Sequence, residues 1–245
     1  MLIVCCGSLR SGSTLQYRIA AHLAASSGAG VPLGYGLWDR FDDISKQAVT
    51  SLVVVKEHAW SARALQFDWN HTRLLYCYRD LRDVVVSLSR LWPYLNLDEP
   101  FEPWSERAAR HLLEVIDNHD RWTGCPNVYV ARYESFRSDI VSEVRKISAF
   151  LRVPATPLPD GDLRRIGDAL SIESQKAFIG AFDFDRYGAG PAFDRWDPVT
   201  QLHRNHFQSG ESGRWKDALP EDRLRFIEEI AGTWLVEHGY ALSGR

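Results

Sequence analysis

The chain has 245 residues, 45% hydrophobic and 25% charged, a composition typical of a globular protein with a sizeable core. The formal net charge of −3 excludes the strong positive field of a general nucleic-acid-binding protein, so no nucleic-acid partner is expected. The sequence contains no run of about 20 apolar residues, so no membrane partner is expected either.

The chain opens on an apolar run, residues 2–6, that predicts a buried strand. No charged region or cleavage site precedes this run, so no secretory signal is expected. The four cysteines, Cys5, Cys6, Cys77 and Cys125, fit no zinc-binding spacing, and three lie in apolar runs where cysteine acts as a small hydrophobe. A reducing, cytoplasmic location is the expectation that follows.

A glycine-rich loop and a helix, Ser13–Ser26, follow the first strand. Gly7 and Gly12 hold the two glycine positions of a phosphate-binding loop, and Thr14 holds its hydroxyl position. Backbone N–H groups at a helix N-terminus bind anions, so this loop is expected to bind a phosphate-like group. The alternative is a Gly/Ser turn that only connects the strand to the helix.

The loop departs from that of a nucleoside triphosphatase in its cation. Ser13 stands where the lysine belongs, and Arg10 places a positive charge inside the loop instead. An ordinary ATP or GTP site is therefore disfavoured.

Further apolar runs and helical patterns alternate along the rest of the chain. This alternation predicts an α/β fold, a three-layer domain with a central parallel sheet, and the whole chain, 1–245, is expected to form one domain. Ligands of such sheets bind at the carboxyl ends of the strands. The predicted strands are 52–55, 73–78 and 128–131, and the predicted helices are 83–91, 105–122, 139–151 and a last one that starts near Pro220 and ends at Gly239.

A lysine and a histidine follow the predicted strand 52–55. Alternation along the chain places Lys56 and His58 on one face. A cation beside a potential general base suits the transfer of an anionic group to a hydroxyl or an amine. The alternative is a solvated strand end with a surface histidine.

An arginine follows the predicted strand 73–78. Arg79 lies at the strand end, and Ser87 lies four residues past Asp83 in the next helix. A guanidinium and a hydroxyl together suit a second phosphate. The alternative is that Arg79 pairs with Asp83 and that Ser87 is incidental.

Two irregular aromatic segments, 91–104 and 178–196, are typical of binding loops or lids. The second interleaves aromatic rings with Asp183, Asp185 and Asp194, which favours an amine-bearing acceptor through cation–π and ion-pair contacts. The alternative is a solvated loop whose rings pack locally.

In this order the motifs resemble the sulfotransferases that use 3′-phosphoadenosine-5′-phosphosulfate (PAPS), from Val4 to about Lys216. The family's loop, roughly Pro-Lys/Arg-Ser-Gly-Thr-Thr, is matched by residues 9–14. Residues 56–58 match its Lys-Thr-His motif, and residues 79–87 match its Arg-Asp-Pro-Arg-Asp motif. Residues 133–136 match its Tyr-Glu-Asp-Leu motif, and residues 170–176 match its Thr-Ser-Phe segment. Residues 210–216 match its late Gly-x-x-Gly-x-Trp-Lys loop.

The chain departs from the family pattern at two places in the nucleotide site. Small-molecule members carry an aromatic residue after the phosphate loop, where this chain has Leu15. They also carry Arg-Lys before the late glycine, where this chain has Gln208 and Ser209; Arg204 or His206 is the candidate substitute.

The resemblance implies a PAPS-dependent enzyme that moves a sulfuryl group to a hydroxyl or amine of a small-molecule or carbohydrate acceptor, with no metal. Arg10 and Lys56 would neutralise charge on the leaving oxygens, and His58 would take the acceptor's proton. Arg79 and Ser87 would hold the 3′-phosphate. The implied cofactor-binding residues are Arg10, Ser11, Gly12, Ser13, Thr14, Leu15, Arg79, Ser87, Tyr133, Ser171, Gln208, Ser209 and Gly210.

Two other functions stay open. A P-loop kinase of a nucleotide or small molecule would need the loop lysine and a strand-end Asp for Mg²⁺, and Ser13 disfavours it. A non-catalytic nucleotide-binding module would explain the missing Arg-Lys pair, whereas Lys56 and His58 disfavour it. The sequence does not fix the acceptor or the oligomeric state, because the dimer motif of the animal cytosolic enzymes has no clear match.

Overall fold

The computed structural model describes residues 1–90, 95–191, 195–205 and 210–244. Its centre is a five-stranded sheet in the order β2-β3-β1-β4-β5, in which all paired strands are parallel. The predicted α/β fold with a central parallel sheet is confirmed. The strands are β1 (Leu2–Gly7), β2 (Gly30–Tyr35), β3 (Leu52–Glu57), β4 (Thr72–Tyr78) and β5 (Val128–Arg132).

Helices connect and cover these strands, and two short 3₁₀ turns, Trp38–Arg40 and Ala62–Gln66, lie between β2 and β3 and between β3 and β4. None of the helices in the described ranges is both long enough and apolar enough to cross a membrane. The helices are α1 (Ser13–Ser26), α2 (Phe41–Thr50), α3 (Leu81–Ser89), α4 (Phe101–Thr123), α5 (Tyr133–Ser138), α6 (Ile140–Leu151), α7 (Asp160–Ala169), α8 (Ile172–Ala181), α9 (Phe184–Tyr187), α10 (Trp215–Ala218) and α11 (Glu221–Glu237).

The central strand β1 has core on both of its faces. Ile3 and Cys5 pack in a cluster that includes α1 and α6, whereas Val4 and Cys6 pack on the opposite side with α2 and Trp122. Because both faces are covered, the strand reads as a continuous apolar run rather than an alternating one. A third cluster joins α3, α4, α10 and α11.

Some elements were not predicted. The edge strand β2 contains Gly30, Pro32 and Gly34, residues that weaken a strand pattern and that an edge strand tolerates. Helix α2 buries positions 41, 44 and 48, a helical spacing that could have revealed it. The two segments predicted to be irregular are partly helical, since α4 starts at Phe101 and α8 continues to Ala181.

Two histidines join α4 to α11 in the interior. His238 Nδ1 lies 2.7 Å from the Trp234 carbonyl oxygen, and His238 Nε2 lies 2.8 Å from His119 Nε2. Because a carbonyl only accepts, His238 carries its proton on Nδ1, and His119 Nε2 donates to the unprotonated His238 Nε2. Burial, and to a lesser extent the neighbouring His238, lowers the pKa of His119 from 6.5 to about 4.

We expect this pair to make the protein less stable as the pH falls from 6.5 towards 4. The unfolded chain protonates His119 near its ordinary pKa, whereas the folded chain resists the proton until about 4. The stabilisation of the folded chain by neutral His119 is therefore complete above pH 6.5. It is lost as the pH falls through the pKa of His119 in the folded chain, about 4. Urea unfolding at pH 7.5 and at pH 5 should show a smaller acid loss in His119→Phe than in the wild type, and equal losses would contradict the assignment.

Candidate functional site

The loop between β1 and α1 forms one wall of a cavity of about 440 Å³ at the carboxyl edge of the sheet. Arg10 and Gly12 have left-handed backbones, with φ of 67° and 102°, and the Gly12 carbonyl accepts the first hydrogen bonds of α1. Gly12, Ser13 and Thr14 line the cavity, and no acidic residue occupies the first turn of the 14-residue helix α1. The positive end of the helix therefore suits an anion.

Lys56 brings a second cation to this loop from β3. Its Nζ donates a hydrogen bond to Thr14 Oγ1 at 2.7 Å, and the residue is only 4% exposed. The parallel register sets Lys56 beside Cys5 of β1, so both strands end at the same edge. The loop, which has Ser13 in place of its own lysine, thus receives an ammonium group from the neighbouring strand.

His58 is fixed against the first glycine of the loop. Its Nδ1 lies 2.7 Å from the Gly7 carbonyl oxygen, so Nδ1 carries the proton and Nε2 holds the lone pair. Burial, followed by the charge of Lys56, lowers the pKa of His58 to about 3. The ring that lines the cavity is therefore neutral at neutral pH and can accept a proton at Nε2.

Arg79 lies on the opposite wall, directly after β4. Its Nη2 donates to the Glu211 carbonyl oxygen at 2.7 Å and lies 3.7 Å from Asp83 Oδ2, so the predicted ion pair is present. Its guanidinium carbon lies 4.3 Å from the centre of the Tyr133 ring. The buried Nε has no hydrogen-bond partner among the described residues. Arg79 thus pairs with Asp83 and also lines the cavity, so the two interpretations of its motif are compatible.

Two hydrogen bonds tie the remaining parts of the wall together. Arg10 Nε donates to Ser87 Oγ at 2.9 Å, which links the phosphate loop to α3. The Tyr133 hydroxyl donates to the Gly210 carbonyl oxygen at 3.1 Å, which links α5 to the late glycine-rich loop. Ser171, the N-cap of α8, lines the far end of the cavity together with the apolar side chains Leu15, Phe136, Ile140, Leu170 and Ile172.

The structure brings twelve of the predicted site residues to the same cavity: Arg10, Gly12, Ser13, Thr14, Leu15, Lys56, His58, Arg79, Ser87, Tyr133, Ser171 and Gly210. Ser11 does not line it. The Ser11 hydroxyl donates to the Ser8 carbonyl oxygen at 2.7 Å and its own carbonyl accepts from Cys77 Sγ, so its side chain lies inside the loop. Gln208, Ser209 and His206 lie outside the described residues.

Comparison with known proteins supplies the family. A family model described as a sulfotransferase domain matches residues 44–239, well over half of the chain. The chain belongs to the sulfotransferase family. The matched residues begin after the phosphate loop, so the family model does not cover that loop. Its position between β1 and α1 is known from the structure of this sulfotransferase.

Relatives of known structure or activity agree with this membership. The flavonol 3-sulfotransferase of Flaveria bidentis is 22% identical over 188 residues, which cover 71% of this chain and 58% of that protein. The sulfotransferase thus spans 58% of the length of that curated relative. Mouse sulfotransferase SULT7A1 complexed with PAP matches with a TM-score of 0.68 and 15% identity over 96% of this chain and 84% of that one. Retinol dehydratase with androsterone and inactive cofactor PAP matches with a TM-score of 0.64 and 16% identity over 100% and 83%. At these identities the likeness shows the fold.

The aromatic segment predicted to contact the acceptor lies elsewhere in the sulfotransferase. None of its described residues lines the cavity. Asp183 accepts from the Arg186 backbone N–H as the cap of α9, and Asp185 pairs with Arg204 at 2.6 Å. Asp194 lies outside the described residues. The hypothesis of a cationic or amine-bearing acceptor loses the contacts on which it depended, and Arg204 does not line the cavity.

Sequence reasoning missed several basic residues of the cavity wall. Arg137 lies in the last turn of the unpredicted helix α5, and His203 lies on a segment that pairs with Trp196. Arg214 lies in the late glycine-rich loop and also lines the cavity. Arg214 could have been found from the sequence, because it is a positively charged residue within a loop already assigned to an anion site. No group of three or more His, Cys, Asp or Glu side chains placed to hold a metal occurs in the described ranges.

Substitution of the loop glycines tests the geometry of this wall. A Cβ at Gly7 would lie 2.4 Å from the Cys77 carbonyl oxygen, a backbone atom held in the sheet, and one at Gly12 would lie 2.8 Å from the Tyr133 ring. Gly28 has a φ of 72°, in the left-handed region that alanine enters at modest cost, and nothing beyond its chain neighbours lies within 4 Å of its Cβ position, so Gly28→Ala is a control without close approach. Gly7→Ala should lower the free energy of unfolding by about 1–3 kcal/mol more than the control, with Gly12→Ala in between. Equal losses in urea unfolding would show that close approach is not what these positions require.

Proposed function

We propose that this sulfotransferase moves the sulfuryl group of PAPS to a hydroxyl or an amine, with His58 as the general base. The observation that carries the proposal is the meeting of three groups in the same cavity. The anion-binding loop, the Lys56 ammonium held 2.7 Å from Thr14 and the His58 ring held 2.7 Å from Gly7 all belong to strand ends at one edge of the sheet.

The residues present fit PAPS. The positive end of α1, Arg10 and Lys56 suit the 5′-phosphosulfate, and the buried Arg79 Nε is a donor without a partner among the described residues. Tyr133 and the apolar side chains at the far end suit a planar base. PAPS, when bound, supplies a sulfuryl group whose S–O bond to phosphate breaks to leave adenosine 3′,5′-bisphosphate.

Lys56 and Arg10 stabilise the negative charge that develops on oxygens at the loop. Lys56 is almost fully shielded from water, so its charge acts through a lower effective dielectric constant than a surface lysine's would. Both cations are already held by Thr14 and Ser87 before any ligand binds, which limits the reorganisation needed during the reaction.

His58 takes the acceptor's proton at Nε2. The bond from Nδ1 to Gly7 fixes the tautomer and the ring orientation, so the lone pair has one direction. Since the charge of Lys56 contributes to the low pKa of His58, an anion bound beside Lys56 offsets that effect and raises the pKa towards a useful range for proton transfer.

The acceptor is proposed to be a small molecule with a nucleophilic hydroxyl or amine. The support is indirect, since one structural neighbour, retinol dehydratase, holds androsterone in one structure and retinol in another, each with PAP. The apolar side chains of Leu9, Val86 and Leu88 on the cavity wall suit an acceptor with an apolar body.

Thermal unfolding with two nucleotides tests the proposal. Adenosine 3′,5′-bisphosphate should raise the melting temperature, by the equivalent of about 2.7 kcal/mol at 100 times its Kd, while ATP with Mg²⁺ should raise it little. The reverse order would favour a kinase, and no shift with either nucleotide would contradict a nucleotide site in this cavity.

A further inference from the structure

A buried carboxylate lies between the two site residues that follow one another at the end of β3. Glu57 is the last residue of this strand and is only 3% exposed, and its neighbours Lys56 and His58 both line the cavity, whereas Glu57 does not. Alternation along the strand turns its side chain to the opposite face, in the row of Val53 and Val55 that packs with α2. A carboxylate buried in an apolar row is costly unless its oxygens are hydrogen-bonded, so its partners indicate what it does.

The two oxygens of this carboxylate join two separate segments of the chain. Oε1 accepts a hydrogen bond from the His58 backbone N–H at 2.8 Å, and Oε2 accepts one from the Leu37 backbone N–H at 3.1 Å, in the connection between β2 and α2. Leu37 is fully buried, so the carboxylate is anchored to the core. Burial raises the pKa of Glu57, and the His58 N–H leads the hydrogen bonds that oppose this rise by favouring the ionised form.

His58 depends on this support because it lies beyond the end of its strand. The register of β3 with β1 ends at the pair Cys6 and Glu57, so the His58 N–H bonds to a side chain and not to a neighbouring strand. The Trp122 Nε1 donates to the His58 carbonyl oxygen at 3.3 Å, and the Tyr35 ring lies 5.4 Å from the His58 ring between their centres. The Tyr35 side chain also interacts with Glu57. The carboxylate therefore supports both the main chain of His58 and the ring that packs beside its imidazole.

The anion-binding groups next to His58 are held by other contacts. Lys56 Nζ donates to Thr14 Oγ1 at 2.7 Å, and the main chain of Lys56 is paired within the sheet with Cys5 on one side and Tyr35 on the other. None of these contacts uses the Glu57 carboxylate. A change at Glu57 therefore acts on His58 more than on the loop that receives the anion.

We propose that Glu57 is a positioning residue, which sets the place of the His58 imidazole against the Gly7 carbonyl oxygen and so the direction of Nε2 towards the acceptor. The inference rests on the proposed function, because His58 is the base of the proposed reaction. Glu57 acts by holding the main chain of His58, since it lies outside the cavity wall. The 2.7 Å contact between Nδ1 and Gly7 requires close alignment, so a shift of the His58 main chain weakens it and frees the tautomer.

The test compares the wild type with Glu57→Gln and Glu143→Gln. Glutamine at position 57 has the same shape but only one acceptor oxygen, so one of the two N–H groups loses its partner. Glu143 is as deeply buried, at 2% exposure, and it accepts from the Tyr129 hydroxyl and from Lys146 on α6, outside the cavity wall. Glu143→Gln therefore controls for the loss of a buried carboxylate as such. Unliganded melting temperatures verify that each variant is folded.

Two measurements follow His58 itself and the reaction separately. Nuclear magnetic resonance of protein with ¹⁵N-labelled histidine reports the His58 ring in the free enzyme, and His58→Ala assigns its signals. The wild type and Glu143→Gln should show an Nδ1 proton protected from exchange with water, and Glu57→Gln should lose this protection. Turnover of an acceptor that the wild type sulfates should fall about 10-fold in Glu57→Gln, while calorimetric affinity for adenosine 3′,5′-bisphosphate stays nearly unchanged.

The outcomes separate this inference from the proposed function. An unchanged Nδ1 proton in Glu57→Gln, turnover equal to that of Glu143→Gln, or an equal loss of turnover and of nucleotide affinity would each overturn the role of Glu57 and leave the proposed function standing. If the wild type sulfates no acceptor, the proposed function is overturned, and the Nδ1 signal alone decides whether Glu57 positions the ring. If Glu57→Gln does not fold, Glu57→Asp, which keeps the charge on a shorter side chain, undergoes the same comparison.

Discussion

Replacing His58 by alanine is expected to lower turnover by ~10²-fold or more while leaving nucleotide affinity nearly unchanged. The ring is placed to accept a proton at Nε2, because its Nδ1 proton is held by the Gly7 carbonyl oxygen at 2.7 Å. In the proposed function the nucleotide is bound by other groups, namely the loop, Arg79 and Arg10. Steady-state kinetics with saturating PAPS, together with calorimetry with adenosine 3′,5′-bisphosphate, separates the two effects.

A second histidine of the cavity wall provides the comparison. His203 lines the same cavity. It also lowers the pKa of His58, although burial, Lys56 and the Gly7 hydrogen bond have larger effects on that pKa. His203→Ala should therefore lower turnover less than His58→Ala does. Wild-type turnover in His58→Ala, or a larger loss in His203→Ala, would move the role of the base away from His58.

Replacing Arg79 by alanine is expected to weaken binding of adenosine 3′,5′-bisphosphate by ~1.5–3 kcal/mol, the range for a charged hydrogen-bond partner. AMP, which lacks the 3′-phosphate, should lose much less. Arg79 is only 8% exposed and pairs with the buried Asp83, so the same change should also lower the melting temperature of the free protein. Arg79→Lys retains the charge and is expected to restore stability more than affinity, since Lys cannot reproduce the fork.

The contrast between the two nucleotides identifies the cause. Calorimetry that shows equal losses for the bisphosphate and for AMP would mean that Arg79 supports the cavity as a whole and that the 3′-phosphate lies elsewhere. A loss confined to the bisphosphate agrees with the proposed position.

Much of the site followed from the sequence because it lies at strand ends. Gly7 and Gly12 mark the loop through their spacing, and alternation in β3 puts Lys56 and His58 on one side. The strands are parallel, so their carboxyl ends meet at one edge, and residues far apart in the chain reach the same cavity. These are consequences of backbone geometry, which short patterns encode well.

The parts that were missed depend on tertiary packing. Arg214 reaches the cavity because Asp83 of α3 holds its neighbours, a contact 130 residues apart that no local pattern encodes. The aromatic segment before residue 196 looks like a binding wall in the sequence, but Phe182 packs on Phe184 and Asp185 pairs with Arg204, so its side chains satisfy one another. The edge strand β2 was missed because its glycines and proline do not form a strand pattern. A strand that is paired on one side only tolerates such residues.

The most direct test of the central claim is transfer of radioactive sulfur from labelled PAPS. The purified protein is incubated with labelled PAPS and with panels of phenols, alcohols, sugars and amines, beside His58→Ala. Catalysis by the proposed route predicts labelled product from at least one hydroxyl or amine acceptor, an equal amount of adenosine 3′,5′-bisphosphate, and a loss of both in His58→Ala. Tight binding of the bisphosphate with no labelled product from any acceptor in the panels would contradict the claim and would favour a nucleotide-binding module without catalysis.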